Sequence, residues 1–335
     1  MIKRLSISNL GPISALDCSS LSNINLIIGP NQSGKTFLLK ALFSALKTVE
    51  QYKRGRENRT DREILSDKLY WTFQTNTLGG IVRKGERSLS VGIESDAGER
   101  FSFSFGPSTT KQANIEVNSF APRESNSVFI PAKEILSIKD IILESRDSYS
   151  AFGFEDPYYD LAKAILKTRK GRNFKAFSQV RSEISDMIGG RLEYDEEKRE
   201  WQFHDKRNRI YQVQGTSEGV KKISIIELLL GNRYLDNHSV IIIDEIEANL
   251  HPMYVSRFLK QICTLAEAGV QFFIASHSYF VIKRLYVLAH QQNVDVPVIS
   301  FTDTDVTIGN LRHEMPKNPI IDQAIELYKD EIRLE

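Results

Sequence analysis

Apolar positions along this chain fall into strand-like runs and helix-like stripes that take turns from end to end. Ile24-Asn25-Leu26-Ile27-Ile28 is a short apolar run, and Phe37-Leu38-Leu39-Lys40-Ala41-Leu42-Phe43 carries its apolar residues at helical spacing. Residues 1–48 thus read as two or three strands, a glycine-containing loop and a helix. Residues 49–65 are polar and strongly charged. From Lys68 to about Val117, the runs Tyr70-Trp71-Thr72-Phe73, Ser88-Leu89-Ser90-Val91-Gly92-Ile93 and Phe101-Ser102-Phe103-Ser104-Phe105 alternate apolar and polar residues between turns. That alternation predicts an antiparallel sheet.

Ser127-Val128-Phe129-Ile130-Pro131 reads as a strand stopped by proline, and residues 132–188 as mainly helical. A hairpin is expected from Arg191-Leu192-Glu193-Tyr194 and Trp201-Gln202-Phe203 around the charged turn Asp195-Glu196-Glu197-Lys198. Helices are predicted over 219–235 and 252–268, with buried strands over 239–244 and 271–275. Val240-Ile241-Ile242-Ile243 is apolar at every position, as a parallel strand covered on both faces requires. The pattern is α/β, without internal repeats.

The loop between the run Ile24–Ile28 and the first helix is Gly29-Pro30-Asn31-Gln32-Ser33-Gly34-Lys35-Thr36. Strand, glycine-rich loop and helix form the context of a phosphate-binding P-loop, whose glycines let successive N–H groups converge on an anion at a helix N-terminus. Lys35 is expected to reach the β- and γ-phosphates, and the Thr36 hydroxyl to ligate Mg²⁺. The run Val240–Ile243 ends in Asp244-Glu245, a Walker B pattern. Asp244 is placed to hold Mg²⁺, and Glu245 to orient and deprotonate an attacking water. A nucleoside triphosphate, ATP, and Mg²⁺ are the ligands this pair of motifs implies.

At this point the chain resembles a family. Asp244-Glu245-Ile246-Glu247-Ala248-Asn249-Leu250-His251-Pro252 is similar to the Walker B and D-loop segment of ABC-type ATPases in the SMC, RecF and OLD group. Phe273-Ile274-Ala275-Ser276-His277-Ser278 is similar to their switch-histidine segment, which implies that His277 contacts the γ-phosphate. Thr216-Ser217-Glu218-Gly219, followed by Val220-Lys221-Lys222, resembles the ABC signature, although Thr216 stands where that family usually has leucine. The resemblance implies that Ser217, Glu218 and Gly219 grip the γ-phosphate held by an opposing subunit, in a head-to-tail homodimer. It also implies ATP hydrolysis, with Lys35, Glu245 and His277 as the catalytic set. No Q-loop glutamine is found where one is expected; that position holds Phe129-Ile130-Pro131-Ala132-Lys133-Glu134.

The whole chain, 1–335, reads as one ABC-type ATPase unit. Its parts are a P-loop core (1–48), a charged linker and β-lobe (49–126), a mainly helical insert with a hairpin (127–213), and a segment with signature, Walker B and switch histidine (214–335). Thr36 and Asp244 are 208 positions apart, and no sustained heptad pattern fills the interval, so no long coiled coil is expected. Only 58 residues follow His277, too few for the TOPRIM nuclease domain of OLD proteins. Asp303-Thr304-Asp305 reads as a turn between strands rather than a metal motif.

Composition refines this picture. The 335 residues are 41% hydrophobic and 26% charged with a formal net charge of +1, ordinary values that give no global pull toward nucleic acid or membrane. Two separated cysteines, Cys18 and Cys263, argue against a disulfide framework. No apolar run is long enough for a bilayer, and a cytoplasmic location is expected. Two basic clusters, Lys53/Arg54/Arg56/Arg59/Arg62 and Lys167/Arg169/Lys170/Arg172/Lys175, are candidates for DNA contact. Two function classes remain open. In one, the ATPase is the sensor or scaffold of an anti-phage defence complex with a separate nuclease or toxin effector. In the other, it is a RecF-like repair ATPase acting directly on DNA.

Overall fold

A computed structural model describes residues 1–167, 173–302 and 305–334. Its central sheet is six-stranded: β3 (Ile24–Ile28), β7 (Ser127–Ile130), β11 (Val240–Ile243), β12 (Gln271–Ser276), β13 (Pro297–Phe301) and β14 (Val306–Asn310). The spatial order is β14-β13-β3-β12-β11-β7, and all neighbours run parallel except β13 and β14. The four residues of β11 are buried on both faces of the sheet, Ile241 and Ile243 in one core and Val240 and Ile242 in the other, which is why its sequence shows no polar face. Side chains alternate between two cores. Ile24, Leu26, Ile28, Ile241, Ile243 and Ile274 share one; Ile27, Val240, Ile242, Phe273 and Ala275 share the other.

Strands β1 (Ile2–Leu10) and β2 (Ile13–Cys18) belong to a separate antiparallel sheet with β4 (Leu89–Ser95), β5 (Arg100–Phe105) and β6 (Asn114–Asn118), in the order β2-β1-β4-β5-β6. The N-terminal strands therefore join the β-lobe, where the sequence had assigned residues 1–48 to the P-loop core. A second correction falls in the same region. Tyr70-Trp71-Thr72-Phe73 is the end of helix α2 (Asp61–Phe73), not a strand. A capping box starts this helix: the Thr60 hydroxyl accepts from the Glu63 N–H, and the Glu63 carboxylate accepts from the Thr60 N–H. Ile64, Leu65, Leu69 and Thr72 form its buried face, and this packing overrides the strand propensity of an aromatic run.

The P-loop helix α1 (Lys35–Gln51) extends into the stretch read as charged linker. The insert holds α3 (Lys139–Asp147), α4 (Asp156–Leu166) and α5 (Lys175–Ile188), then the expected hairpin of β8 (Gly190–Asp195) and β9 (Glu200–Asp205), to which β10 (Ile210–Gln212) adds a third strand. Helices α6 (Glu218–Gly231), α7 (Pro252–Glu267), α8 (Tyr279–Gln292) and α9 (Pro319–Ile332) complete the described chain. In α7 the His251-Pro252 pair has a local role: His251 Nδ1 accepts from the Met253 N–H at 3.2 Å, and Pro252 takes the first helical position. No helix among the described residues is long and apolar enough to cross a membrane.

Candidate nucleotide site

Three strand ends assemble the site. β3, β12 and β11 lie side by side and point the same way, so Gly29, Ser276-His277 and Asp244-Glu245 emerge at one edge of the sheet. Ligands of open α/β sheets sit at such carboxyl ends. Gly29 and Gly34 have φ of +153° and +108°, and a Cβ on Gly29 would lie 2.7 Å from Phe301 Cβ. Gln32 also takes a left-handed φ of 66°. This curled backbone leads directly into the N-terminus of α1. Lys35 Nζ donates to the carbonyls of Gly29 and Pro30, both at 2.7 Å. Burial lowers its pKa, and the nearby Asp244, Glu245 and Glu247 carboxylates oppose that shift.

Thr36 Oγ1 donates to Asp244 Oδ2 at 3.0 Å, joining the two halves of the site. Asp244 is 8% exposed, and burial raises its pKa. Its other oxygen, Oδ1, is buried without a hydrogen-bond partner. A buried carboxylate oxygen left unpaired beside a threonine hydroxyl fits a hard divalent cation. Among the described residues no group of three or more His, Cys, Asp or Glu could hold a metal. One carboxylate plus substrate phosphates is how Mg²⁺ is usually bound.

Glu245 stands at φ +49°, a left-handed conformation that costs a residue with a side chain on the order of 1–3 kcal/mol. His277 Nδ1 is 3.7 Å from Glu245 Oε1 and 3.5 Å from Glu247 Oε1. Glu247 positions this end of β12: one of its oxygens accepts from Ser276 Oγ at 2.9 Å and from the His277 N–H at 3.0 Å.

The signature segment stands apart from the P-loop of its own chain. Among the described residues no hydrogen bond joins Ser217–Gly219 to residues 29–36. Ser217 and Glu218 are exposed, and the Ser217 side chain does not cap α6. Gly219 is buried against the D-loop; a Cβ there would sit 2.4 Å from the Asn249 carbonyl oxygen. Of the sequence-identified residues, the structure brings together the P-loop, Thr36, Asp244, Glu245 and His277. It leaves Ser217 and Glu218 facing outward.

Lys222 lies outside the residues that the motifs single out. It lies on α6, 3% exposed, and its Nζ donates to the carbonyls of Asp244 (3.2 Å) and Glu245 (2.5 Å). Burial pulls its pKa down to about 8 against the pull of Glu247, Asp244 and Glu245. The signature helix thus holds the strained peptide that carries both acidic residues. The available signal is a lysine pair, Lys221-Lys222, at the head of a mostly apolar helix pattern. Helix α4 also reaches the site. Glu155 Oε1 pairs with Lys40 of α1 at 2.6 Å. The Tyr158 phenol is pushed up to about 12, mostly by burial and further by Glu155 and Asp244.

The basic clusters are less available than the sequence suggests. Arg54 donates to Asn126 Oδ1 and the Glu124 carbonyl, Arg59 pairs with Glu57 and Asp67, and Arg62 donates to Asn114. Arg169, Lys170 and Arg172 of the second cluster lie outside the described residues, as do Asp303 and Thr304.

Comparison with known proteins matches residues 24–283 to a family described as "AAA domain, putative AbiEii toxin, Type IV TA system". The chain belongs to this family. The match runs from the first residue of β3 into α8 and so takes in the P-loop, signature, Walker B and His277. Among solved structures, an SMC head bound to the C-winged helix domain of ScpA is similar with a TM-score of 0.53 and 14% identity, over 92% of this chain and 97% of that one. An Smc head with an extended coiled coil, bound to the C-terminal domain of ScpA derived from Pyrococcus furiosus, gives 0.54 and 12%, over 99% of each. At such identities the likeness shows the fold alone, that of an SMC head, and no long coiled coil is present among the described residues. No curated protein matches the chain.

Proposed function

We propose that this protein is an ATPase whose nucleotide gates a head-to-tail homodimer, and that the dimer is the sensor or scaffold for a separate nuclease or toxin effector in defence against phage. The observation that carries the nucleotide reading is the Thr36–Asp244 hydrogen bond with the unpaired Asp244 Oδ1 beside it, directly after the P-loop. In this reading the P-loop amides and Lys35 hold the phosphates. Thr36 and Asp244 would hold Mg²⁺, which would neutralise phosphate charge. Glu245 takes the proton of the attacking water, and His277 contacts the γ-phosphate. The exposed Ser217 and Glu218 with the α6 N-terminus, an anion-binding arrangement, grip the nucleotide of the second subunit.

The defence role rests on the family's description, which names a toxin of a type IV toxin–antitoxin system. The first test is ATP turnover. Glu245→Gln is expected to bind ATP, lose hydrolysis and accumulate as dimer, whereas Lys35→Ala loses binding. A Glu245→Gln protein that stays monomeric with ATP refutes the sandwich. Recovery of a stoichiometric nuclease or toxin with ATP-trapped Glu245→Gln from its host supports the scaffold role. Growth arrest by this chain expressed alone refutes it and makes the chain itself the toxin.

A further inference from the structure

Among the described residues, helix α9 is docked only at its start. Asn318 caps it through Oδ1 and anchors it to Ser300 and Phe301 through Nδ2; Ile321 is buried and Ala324 half-buried. From Ile325 to Leu334 every residue is exposed. Ile325, Tyr328 and Ile332 are 47%, 62% and 52% exposed, and with Ile321 they recur at helical spacing as one apolar stripe. Exposed apolar surface of this kind marks an interaction site.

The stripe and its charges indicate what covers it. Ile321 is taken up by its own core, so the exposed part of the stripe centres on Ile325 and Tyr328, which a second copy running the other way sets against each other. Asp322 and Lys329, one heptad apart, line the same edge. Neither has a side-chain partner among the described residues, whereas Glu326 is bonded to Gln323 and Arg333 to Asp330. In two parallel copies these edges stand on opposite sides of the seam, so no Asp322 meets a Lys329. Two antiparallel copies set each Asp322 toward a Lys329, with helix dipoles opposed.

We propose that α9 is a pairing surface for a second copy of this chain, crossed antiparallel about a two-fold axis. Ile325 of each copy packs on Tyr328 of the other, and Asp322 pairs with Lys329 at both ends of the seam. Such an isologous contact closes on itself. It needs no nucleotide, so it is independent of the ATP-gated closure, and the two interfaces together build assemblies larger than a dimer.

The test is light-scattering mass of the full chain without nucleotide, over a concentration series. The expected result is a reversible dimer that Ile325→Glu with Tyr328→Glu weakens by at least about tenfold. Asp322→Lys alone and Lys329→Asp alone each weaken it about threefold or more, and the double reversal restores it. These positions are exposed, so unchanged melting of each variant verifies folding. A wild-type monomer at about 100 µM, a dimer indifferent to the Ile325 and Tyr328 changes, or a double reversal no better than the singles overturns the proposal. A monomer that captures a different protein through α9 counts with these. Loss of ATP turnover does not enter the measurement, so failure here leaves the ATPase reading standing.

Discussion

Replacing Lys222 by methionine tests how the signature helix controls the acidic residues of the site. Methionine keeps most of the buried stem and removes the donor that holds the Asp244 and Glu245 carbonyls at 3.2 and 2.5 Å. Two free-energy terms oppose each other. Burial moves the lysine pKa from 10.5 to about 8, which corresponds to about 3 kcal/mol of cost to the folded state at neutral pH. Hydrogen bonds from a charged donor contribute roughly 1.5–3 kcal/mol. The two nearly cancel, so Lys222→Met is expected to melt within about 3 °C of wild type at pH 7. Turnover responds differently. Without Nζ the left-handed peptide at Glu245 relaxes, and a displacement on the order of 1 Å lowers kcat by about 100-fold. Steady-state ATP hydrolysis alongside thermal melting separates the outcomes. Unchanged kcat refutes the positioning role, and a loss of stability well beyond about 4 kcal/mol makes the lysine a structural element instead. The pH dependence adds a check with a definite sign. Between about pH 8 and 10.5 the unfolded chain keeps a Lys222 proton that the folded chain has released. Raising pH across that window therefore stabilises wild type relative to Lys222→Met, by up to about 3 kcal/mol.

Gly219→Ala puts a methyl 2.4 Å from the Asn249 carbonyl oxygen; we expect about 1–3 kcal/mol of destabilisation by chemical denaturation and ATP turnover at least tenfold down. Lys47 is 2% exposed and holds Asp160 at 2.8 Å, Glu50 at 3.4 Å and the Ser127 carbonyl at 2.6 Å. Lys47→Met strands the buried Glu50 and the partly buried Asp160 and is expected to cost about 3–5 kcal/mol in denaturant titration. Asp160 is held below its ordinary pKa by Lys47, although its own burial pushes the other way. Its contribution is present above the unfolded carboxylate range and disappears as pH falls through the folded value, so acid unfolding of Asp160→Asn should show a shallower pH dependence.

The P-loop was legible because it is a local object: glycines, a lysine and a threonine between a strand and a helix. The same holds for β11, whose unbroken apolar run announces burial on both faces, and for the β8–β9 hairpin around its charged turn. The failure at Tyr70–Phe73 was also local in origin. The aromatic run favours a strand, and the Thr60/Glu63 capping box with the buried face behind it makes the segment helical. The assignment of β1 and β2 was decided by pairing, since β4 extends their sheet through residues far along the chain.

What the sequence by itself determined is the chemical inventory: a phosphate loop, a hydroxyl and carboxylate for a cation, a candidate base and a histidine at a strand end. What only tertiary structure decided is which of these meet. Thr36 reaches Asp244 because β12 inserts between β3 and β11. Lys222 reaches the backbone of Asp244 and Glu245 because α6 packs its buried face behind that strand end. Strand order and the fit of Gly219 on the D-loop depend on contacts between distant segments, and no local pattern of residues encodes such distances.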